Sequence, residues 1–194
     1  MLLGIDMSRA NKAQRTGVEW YSYFLIQEFK KIMPADARVI LYLQDKPQAD
    51  LLPLPQNWEI KILRWPFRFW TIFRLSAEFL FHKPDIFFSP ANILPFFTPK
   101  KTFTTIHDIG FQRFPKSYSA SEKWLQNFGA KRALKKSSVI FAPSEFTKQE
   151  LMNVYKMYST KIIVAPLAPC TISSAIALDT VQDVLNKYKI KKPY

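Results

Sequence analysis

The chain has 194 residues, of which 48% are hydrophobic and 15% aromatic, so its composition allows a sizeable core and excludes a disordered chain. Its formal net charge is +13, from 28 Lys and Arg against 15 Asp and Glu. The single cysteine, Cys170, excludes an internal disulfide and gives no reason to expect a secreted, disulfide-stapled fold.

The first predicted elements alternate between strand and helix. Residues 1–6 form a short apolar run that predicts a buried parallel strand. Residues 16–33 carry apolar side chains near helical spacing, and the helix is expected to end before Pro34. Residues 38–43 and 58–63 predict two further strands, separated by a loop that is rich in proline.

The same alternation continues to residue 165. Residues 67–81, 119–136 and 144–155 have helical patterns, and short strands are predicted at residues 85–89, 102–106, 139–142 and 161–165. Strands that alternate with helices predict the α/β class, with a Rossmann-like parallel sheet and helices on both faces.

The sequence changes character after Pro166. Residues 171–177 are small and polar, which is typical of a linker, and residues 181–188 have a short helical pattern. We therefore predict one Rossmann-like domain over residues 1–169. Residues 170–194 are predicted to be a linker and the approach to a further domain.

Candidate site residues follow the strands, because parallel sheets bind ligands at the carboxyl ends of their strands. The first loop ends in Thr16 and Gly17 at a helix start, where a phosphate could approach the backbone, and Arg9, Lys12 and Arg15 add positive charge. An ordinary basic surface loop is the alternative, since the full G-x-G-x-x-G pattern is absent.

Two further strand ends carry polar side chains. His107 and Asp108 follow one strand, where the histidine could bind a hydroxyl group or support proton transfer, although a packed histidine is an equal alternative. Ser144 and Thr147 follow the next strand, and helix capping explains Ser144 without any binding function.

A basic and aromatic stretch over residues 60–81 suggests contact with a membrane surface. Binding of single-stranded nucleic acid is less favoured, and a helix packed on the sheet with a basic outer face is the alternative without function. The residues predicted to contact the membrane are Arg64, Trp65, Arg68, Trp70 and Arg74.

The sequence also limits the cellular location, the partners and the metal sites that we expect for this protein. The start of the chain lacks a signal-peptide pattern, and no apolar run is long enough to span a bilayer, so we expect a cytoplasmic protein, peripheral at most on the inner face of the membrane. The net charge favours an anionic partner. Two histidines and one cysteine, far apart in sequence, predict no metal site.

Taken together, five motifs in chain order resemble the family 4 glycosyltransferases. They are IDMSRA with RTGVEWYSYFLIQEF, PDIFFSPANILPFF, TTIHDIGFQRFPKSYS, KRALKKSSVIFAPSEFTKQEL and KIIVAPLAP, which together span residues 3–169. The resemblance implies the N-terminal, acceptor-side half of a retaining GT-B enzyme. Such an enzyme transfers a hexose from a nucleotide-sugar to a polysaccharide or lipid-linked acceptor, without metal or other cofactor.

The resemblance also implies roles for individual residues. Thr16 and Gly17 would approach the donor phosphate, and His107 with Asp108 would lie at the reacting centre. Ser144 and Thr147 would lie near the floor of the cleft. Arg9, Arg15 and Asn92 are the residues expected on the acceptor side. The partners would be a nucleotide-sugar held by a C-terminal domain, a glycan or lipid-linked acceptor, and an anionic membrane surface.

Three positions depart from the family pattern, and two other functions stay open. Phe88 stands where the family often has a histidine, Ala168 stands where glycine is common, and Ser137 and Ser138 replace Ala-Asp. A GT-B sugar-nucleotide epimerase would share the same fold. A non-enzymatic basic module that binds membranes is the second alternative. The isolated half is expected to be inactive.

Overall fold

The computed structural model describes residues 1–156, 159–168, 183 and 185–190. Within these residues the strands form one sheet in the order β3-β2-β1-β4-β5-β6-β7, and every neighbouring pair is parallel. The strands are β1 (Leu2–Asp6), β2 (Arg38–Leu43), β3 (Trp58–Ile62), β4 (Ile86–Ser89), β5 (Lys101–Thr105), β6 (Val139–Ala142) and β7 (Ile162–Val164).

The helices connect these strands. They are α1 (Gly17–Ile32), α2 (Trp70–Phe81), α3 (Gly110–Arg113), α4 (Ala120–Lys136) and α5 (Glu145–Tyr155). Short 3-10 turns lie at Ala49–Leu51, Pro115–Ser117 and Ser159–Lys161. Ser119 caps α4 through a reciprocal pair of hydrogen bonds with Glu122, which satisfies backbone donors that a helix start leaves free.

Two hydrophobic cores lie on opposite faces of the sheet, because successive side chains of a strand point to opposite sides. Val39 and Leu41 of β2 pack in the core that contains Ile26 of α1. Ile40 and Tyr42, which alternate with them, pack in the other core. That second core receives buried side chains from α2, α4 and α5, namely Leu75, Phe79, Ala130, Ala133, Leu134 and Leu151.

The centre of the sheet is tightly packed around Gly4 of β1. A Cβ atom at this position would lie 2.8 Å from both Pro84 Cγ and Tyr42 Cε2. Side-chain carbons essentially never approach so closely, so only glycine fits without displacing its neighbours. The strand can therefore lie directly beneath the connection that enters β4.

The predicted α/β class, with a parallel sheet and helices on both faces, is confirmed. The helix predicted from residue 67 instead begins at Trp70, because Phe69 adopts a left-handed backbone conformation with φ 62°. The predicted linker at residues 171–177 lies outside the described residues. Of the helix predicted over residues 181–188, Asp183 and residues 185–187 are helical.

Candidate functional site

The sheet reverses its winding between β1 and β4. The chain leaves β1 toward β2 on one side, and it returns through α2 to β4 on the other side. The loops after β1 and β4 therefore diverge and leave a crevice at the carboxyl edge of the sheet, which is where open α/β sheets bind ligands.

A cavity of about 470 Å³ occupies this crevice. Its walls come from the loops after β1, β2 and β4, from the start of α2 and from one residue of α4. The lining consists of Asp6, Ser8, Arg9, Lys12, Gln44, residues 68–72, residues 89–91, Ile93 and Leu125. Three of these side chains are cations and one is a carboxylate, so the cavity favours a ligand that carries both negative charge and hydroxyl groups.

Asp6 is the carboxylate at the floor of the cavity, and its residue is only 4% exposed. Its Oδ1 accepts hydrogen bonds from the Ser8 backbone N–H at 3.0 Å and from Ser8 Oγ at 2.6 Å. Its Oδ2 accepts a hydrogen bond from Thr71 Oγ1 at 3.1 Å. Burial raises the pKa of Asp6, while these hydrogen bonds and the charge of Arg9 act in the opposite direction.

His107 follows β5, beside the loop that leaves β4. Its Nε2 lies 3.0 Å from the Pro90 carbonyl oxygen, so this nitrogen carries the proton and donates it to Pro90. The ring packs edge-on against Tyr21, with 4.7 Å between the ring centroids. Burial lowers the pKa of His107, against the Pro90 hydrogen bond and the charge of Asp108. The neutral ring therefore keeps Nδ1 as a hydrogen-bond acceptor.

Asp108 and Thr147 hold the loop that carries His107. Asp108 is exposed, and its Oδ1 accepts a hydrogen bond from the Gly110 backbone N–H at 2.8 Å, which starts α3. Thr147 Oγ1 donates to the His107 carbonyl oxygen at 3.3 Å. Ser144 Oγ in turn accepts the Thr147 backbone N–H at 3.1 Å and caps α5, as the capping interpretation predicted.

The start of α1 lies open after the first loop. A Cβ atom at Gly17 would meet no described atom within 4 Å, so a ligand can reach the backbone there. The Thr16 backbone N–H donates to Glu19 Oε2 at 3.1 Å, and Glu19 lies 3.6 Å from Arg9. Burial opposes the ionisation of Glu19, but the hydrogen bonds from Thr16 and the charge of Arg9 lower its pKa. This helix start therefore already carries one paired carboxylate.

The model of Glycosyltransferase Family 4 matches residues 15–168, which is most of the chain. The chain belongs to Glycosyltransferase Family 4. No curated protein matches the sequence.

The family 4 domain has the fold of one half of Anabaena HepE. It superposes on the HepE complex with UDP-glucose with a TM-score of 0.57 at 11% identity, covering 97% of this chain and 49% of that one. The HepE complex with UDP and glucose gives a TM-score of 0.55 at 13% identity, covering 96% and 50%. The chain thus spans about half the length of HepE, and at this identity the likeness shows the fold alone.

The residues predicted on the acceptor side of the family 4 domain fall in different places. Arg9 lines the cavity. Arg15 instead forms a bidentate ion pair with Asp50, in which the guanidinium nitrogens lie 2.6 and 3.0 Å from the carboxylate oxygens, and it stacks on the Tyr23 ring. Asn92 Nδ2 donates to Gln126 Oε1 at 3.1 Å. Arg15 and Asn92 therefore hold their loops in place, and neither is among the residues that line the cavity.

The residues predicted to contact a membrane lie in different environments of the family 4 domain. The membrane contact predicted for Trp70 is wrong, because its ring is buried and its Nε1–H donates to the Leu63 carbonyl oxygen at 2.6 Å. Arg74 is half-buried and lies 3.5 Å from Glu78. Trp65 is partly buried against the core, whereas Arg64 and Arg68 are exposed.

Sequence reasoning missed Asp6 and Thr71, which the fold brings together at the cavity. A carboxylate that ends an apolar strand was the available signal for Asp6. Among the described residues there is no group of three His, Cys, Asp or Glu side chains that could hold a metal ion. None of the described helices is long and apolar enough to cross a bilayer.

Proposed function

We propose that this chain is the acceptor-side half of a retaining hexosyltransferase that uses a nucleotide-sugar donor. Membership of family 4 carries the proposal, and it supports glycosyl transfer in general. The presence of UDP-glucose and UDP in the HepE structures supports the choice of a nucleotide-sugar. We further propose that the acceptor is a polysaccharide or a lipid-linked glycan, and that no metal is needed.

In the proposed reaction the acceptor hydroxyl oxygen bonds to the anomeric carbon of the donor sugar. The bond from that carbon to the diphosphate oxygen breaks on the same face, so the configuration is retained. The hydroxyl proton passes to the departing phosphate. The negative charge that develops there requires positive groups nearby, and Arg9 and Lys12 in the cavity are suitable by charge.

Asp6 is proposed to position the acceptor. A carboxylate offers about four lone-pair sites, and protein donors fill three of those of Asp6 through Ser8 and Thr71. One site is left for a sugar hydroxyl group of the acceptor. The charge-assisted hydrogen bond would fix one sugar ring at the floor of the cavity, which is the effect that catalysis by orientation needs.

His107 is proposed to contact the transferred sugar or the acceptor near the reacting centre. Its Nε2–H is engaged by the Pro90 carbonyl, so only Nδ1 can face a substrate hydroxyl group. The lowered pKa keeps the ring neutral near pH 7. His107 would therefore act as a hydrogen-bond acceptor, with Asp108 shaping its loop.

The test is product analysis with labelled nucleotide-sugars. The 194-residue protein is assayed alone and within the longest product that its gene encodes. We expect a new glycoside with the donor's anomeric configuration, formed in the presence of a chelator and only when a donor-binding half is present. Inversion, or loss of activity with chelator, would refute retention or metal independence respectively. Conversion of the nucleotide-sugar into its epimer would instead support the epimerase alternative.

The proposed location is the cytoplasm, at the inner face of the membrane. A lipid-linked acceptor would be confined to that surface, and the net charge of +13 favours an anionic leaflet. Fractionation of cells into soluble and membrane pools, with and without high salt, tests this location. Recovery of the protein only in the soluble pool at low salt would contradict it.

A further inference from the structure

The outer face of α2 is apolar. Phe73, Ala77, Leu80 and Phe81 recur at helical spacing and are all exposed, with Phe81 at 81%. The inner face of the same helix is apolar as well and forms part of the core. An outer helix face of this kind is expected to be covered by a partner, yet among the described residues Leu80 and Phe81 remain largely exposed.

The apolar face of α2 continues across the surface onto α4. Phe73 packs against Phe96 with 6.1 Å between ring centroids, and Phe96 packs against Phe128 at 6.4 Å. Trp124, which is 65% exposed, stacks on Phe128 at 5.4 Å. We call these side chains the aromatic ridge: Phe73, Leu80, Phe81, Phe96, Trp124 and Phe128.

Cations adjoin the aromatic ridge. Lys131 and Lys135 are exposed and follow Trp124 and Phe128 along the same stripe of α4. The Arg132 guanidinium lies 5.1 Å from the centre of the Phe96 ring and donates to the Pro95 carbonyl oxygen at 2.6 Å. The loop that carries Phe96 is therefore fastened to α4.

The acidic residues of both helices are already engaged. Glu78, the one carboxylate in the α2 sequence, is buried and lies 2.5 Å from Lys61 and 3.5 Å from Arg74. Glu122, the one in α4, caps its helix by accepting from the Ser119 backbone N–H at 2.8 Å. The ridge thus combines exposed apolar rings with lysines, without a free carboxylate from either helix.

We propose that the aromatic ridge docks on an anionic lipid bilayer, with its rings in the boundary between headgroups and acyl chains. Exposed aromatic rings bordered by lysines match this boundary, because the rings enter the apolar layer while each cation attracts the anionic headgroups. The ridge gives the peripheral location proposed above a specific surface. It does not depend on the transfer reaction.

The cationic border favours a bilayer over the other half of the enzyme as the occupant of the ridge. A docking face between two parts of one protein is depleted in charge at its core and needs a matched partner for each buried charge. Lys131 and Lys135 instead remain in solvent beside the rings, where anionic headgroups would neutralise them.

The first test is sedimentation of the 194-residue protein with lipid vesicles. We expect tight binding to equal mixtures of phosphatidylcholine and phosphatidylglycerol, and weak binding to phosphatidylcholine alone. Exchanging Leu80 and Phe81 for serine should weaken binding to the mixed vesicles about tenfold or more, since two apolar side chains no longer enter the bilayer. Both residues are largely exposed, so the variant should fold, which circular dichroism checks.

The matched control is Phe114→Ser, which removes a ring that is 69% exposed outside the ridge. It should bind the mixed vesicles as the parent protein does. A second measurement follows tryptophan fluorescence, which should shift to shorter wavelength on vesicle addition in the parent protein and much less in Trp124→Phe. Charge reversal by Lys131→Glu with Lys135→Glu should remove the preference for anionic vesicles.

Three results would overturn the docking proposal. The parent protein could fail to bind anionic vesicles, or the Leu80 and Phe81 variant could bind them as tightly as the parent does. The ridge variants could instead lose binding to a donor-side half while vesicle binding is unchanged, which would make the ridge an interface between domains. Transfer to a water-soluble acceptor should be the same in the ridge variants, so failure of the transfer proposal is recognised separately.

Discussion

The two faces of α2 can be distinguished by a pair of substitutions two residues apart. Phe79 is 0% exposed and packs edge-on against Tyr42 and Phe87, with ring centroids 5.3 and 4.9 Å away. Removing a buried phenylalanine ring costs about 3–5 kcal/mol, because apolar contact is lost and a cavity remains. Phe81 is 81% exposed, so Phe81→Ala should change the free energy of unfolding by less than about 0.5 kcal/mol.

The assay for this pair is urea and thermal denaturation followed by circular dichroism. A loss of about 4 kcal/mol is a large part of the ~5–15 kcal/mol that stabilises a typical domain. At roughly 2–4 °C per kcal/mol, Phe79→Ala should lower the Tm by about 8–16 °C, while Phe81→Ala leaves it nearly unchanged. Equal losses in both variants would refute the packing described for α2, and with it the exposed aromatic ridge.

Further predictions concern β1, the start of α1 and the strand end that carries His107. Gly4→Ala should destabilise the fold by about 1–3 kcal/mol through overpacking, as measured by denaturation. Gly17→Ala should stabilise the fold by roughly 0.4–1 kcal/mol, also measured by denaturation, and should lower the rate of transfer, measured by kinetics. Asp6→Asn should lower kcat/KM for transfer by the longest product of the gene about 10- to 100-fold, because the proposed charge-assisted hydrogen bond to the acceptor would be lost. Unfolding measured against pH should show stability falling below pH ~6.5, because unfolded His107 binds a proton that the folded ring resists.

Each of these predictions has its own contradicting result. If Gly17→Ala transfers sugar at the parent rate, the proposed binding of the donor phosphate at the start of α1 is contradicted. An unchanged kcat/KM in Asp6→Asn, with normal unfolding, would leave the cavity floor without a role in acceptor binding. For His107, the folded pKa is lowered, so its contribution is complete above pH ~6.5 and is lost as the pH falls. His107→Gln should flatten that slope, and an unaltered slope would contradict the assignment.

Much of the fold could be predicted because the hydrophobic pattern repeats with the period of each element. The strands Arg38–Leu43 and Val139–Ala142 have the bounds that the sequence predicted. Helix α3 was not predicted, because four residues are too few for a period to be recognised. It depends instead on Asp108 accepting the Gly110 backbone N–H and on the burial of Phe111.

The candidate site was harder to predict from the sequence, because it depends on contacts between residues that are distant along the chain. Asp6 meets Thr71, which lies 65 positions along the chain. Trp70 was misassigned to the membrane surface because aromatic residues occur all round that stretch, so the pattern cannot tell which ring faces the sheet. Arg15 was predicted from charge alone, and its bond to Asp50 depends on the path of the loop after β2.

The central place of β1 in the sheet has a consequence for the synthesis of this protein. During synthesis one edge of β1 can pair with β2 soon after β2 emerges. The other edge stays unpaired until β4 has been made, because Leu2 and its partner Asp85 are 83 positions apart. At ~5–20 residues per second, the ribosome takes roughly 4–17 s to supply that partner. During this interval nascent chains on one messenger expose the same apolar strand edge side by side. Protection by a chaperone is therefore expected to matter more for this chain than its final stability would suggest.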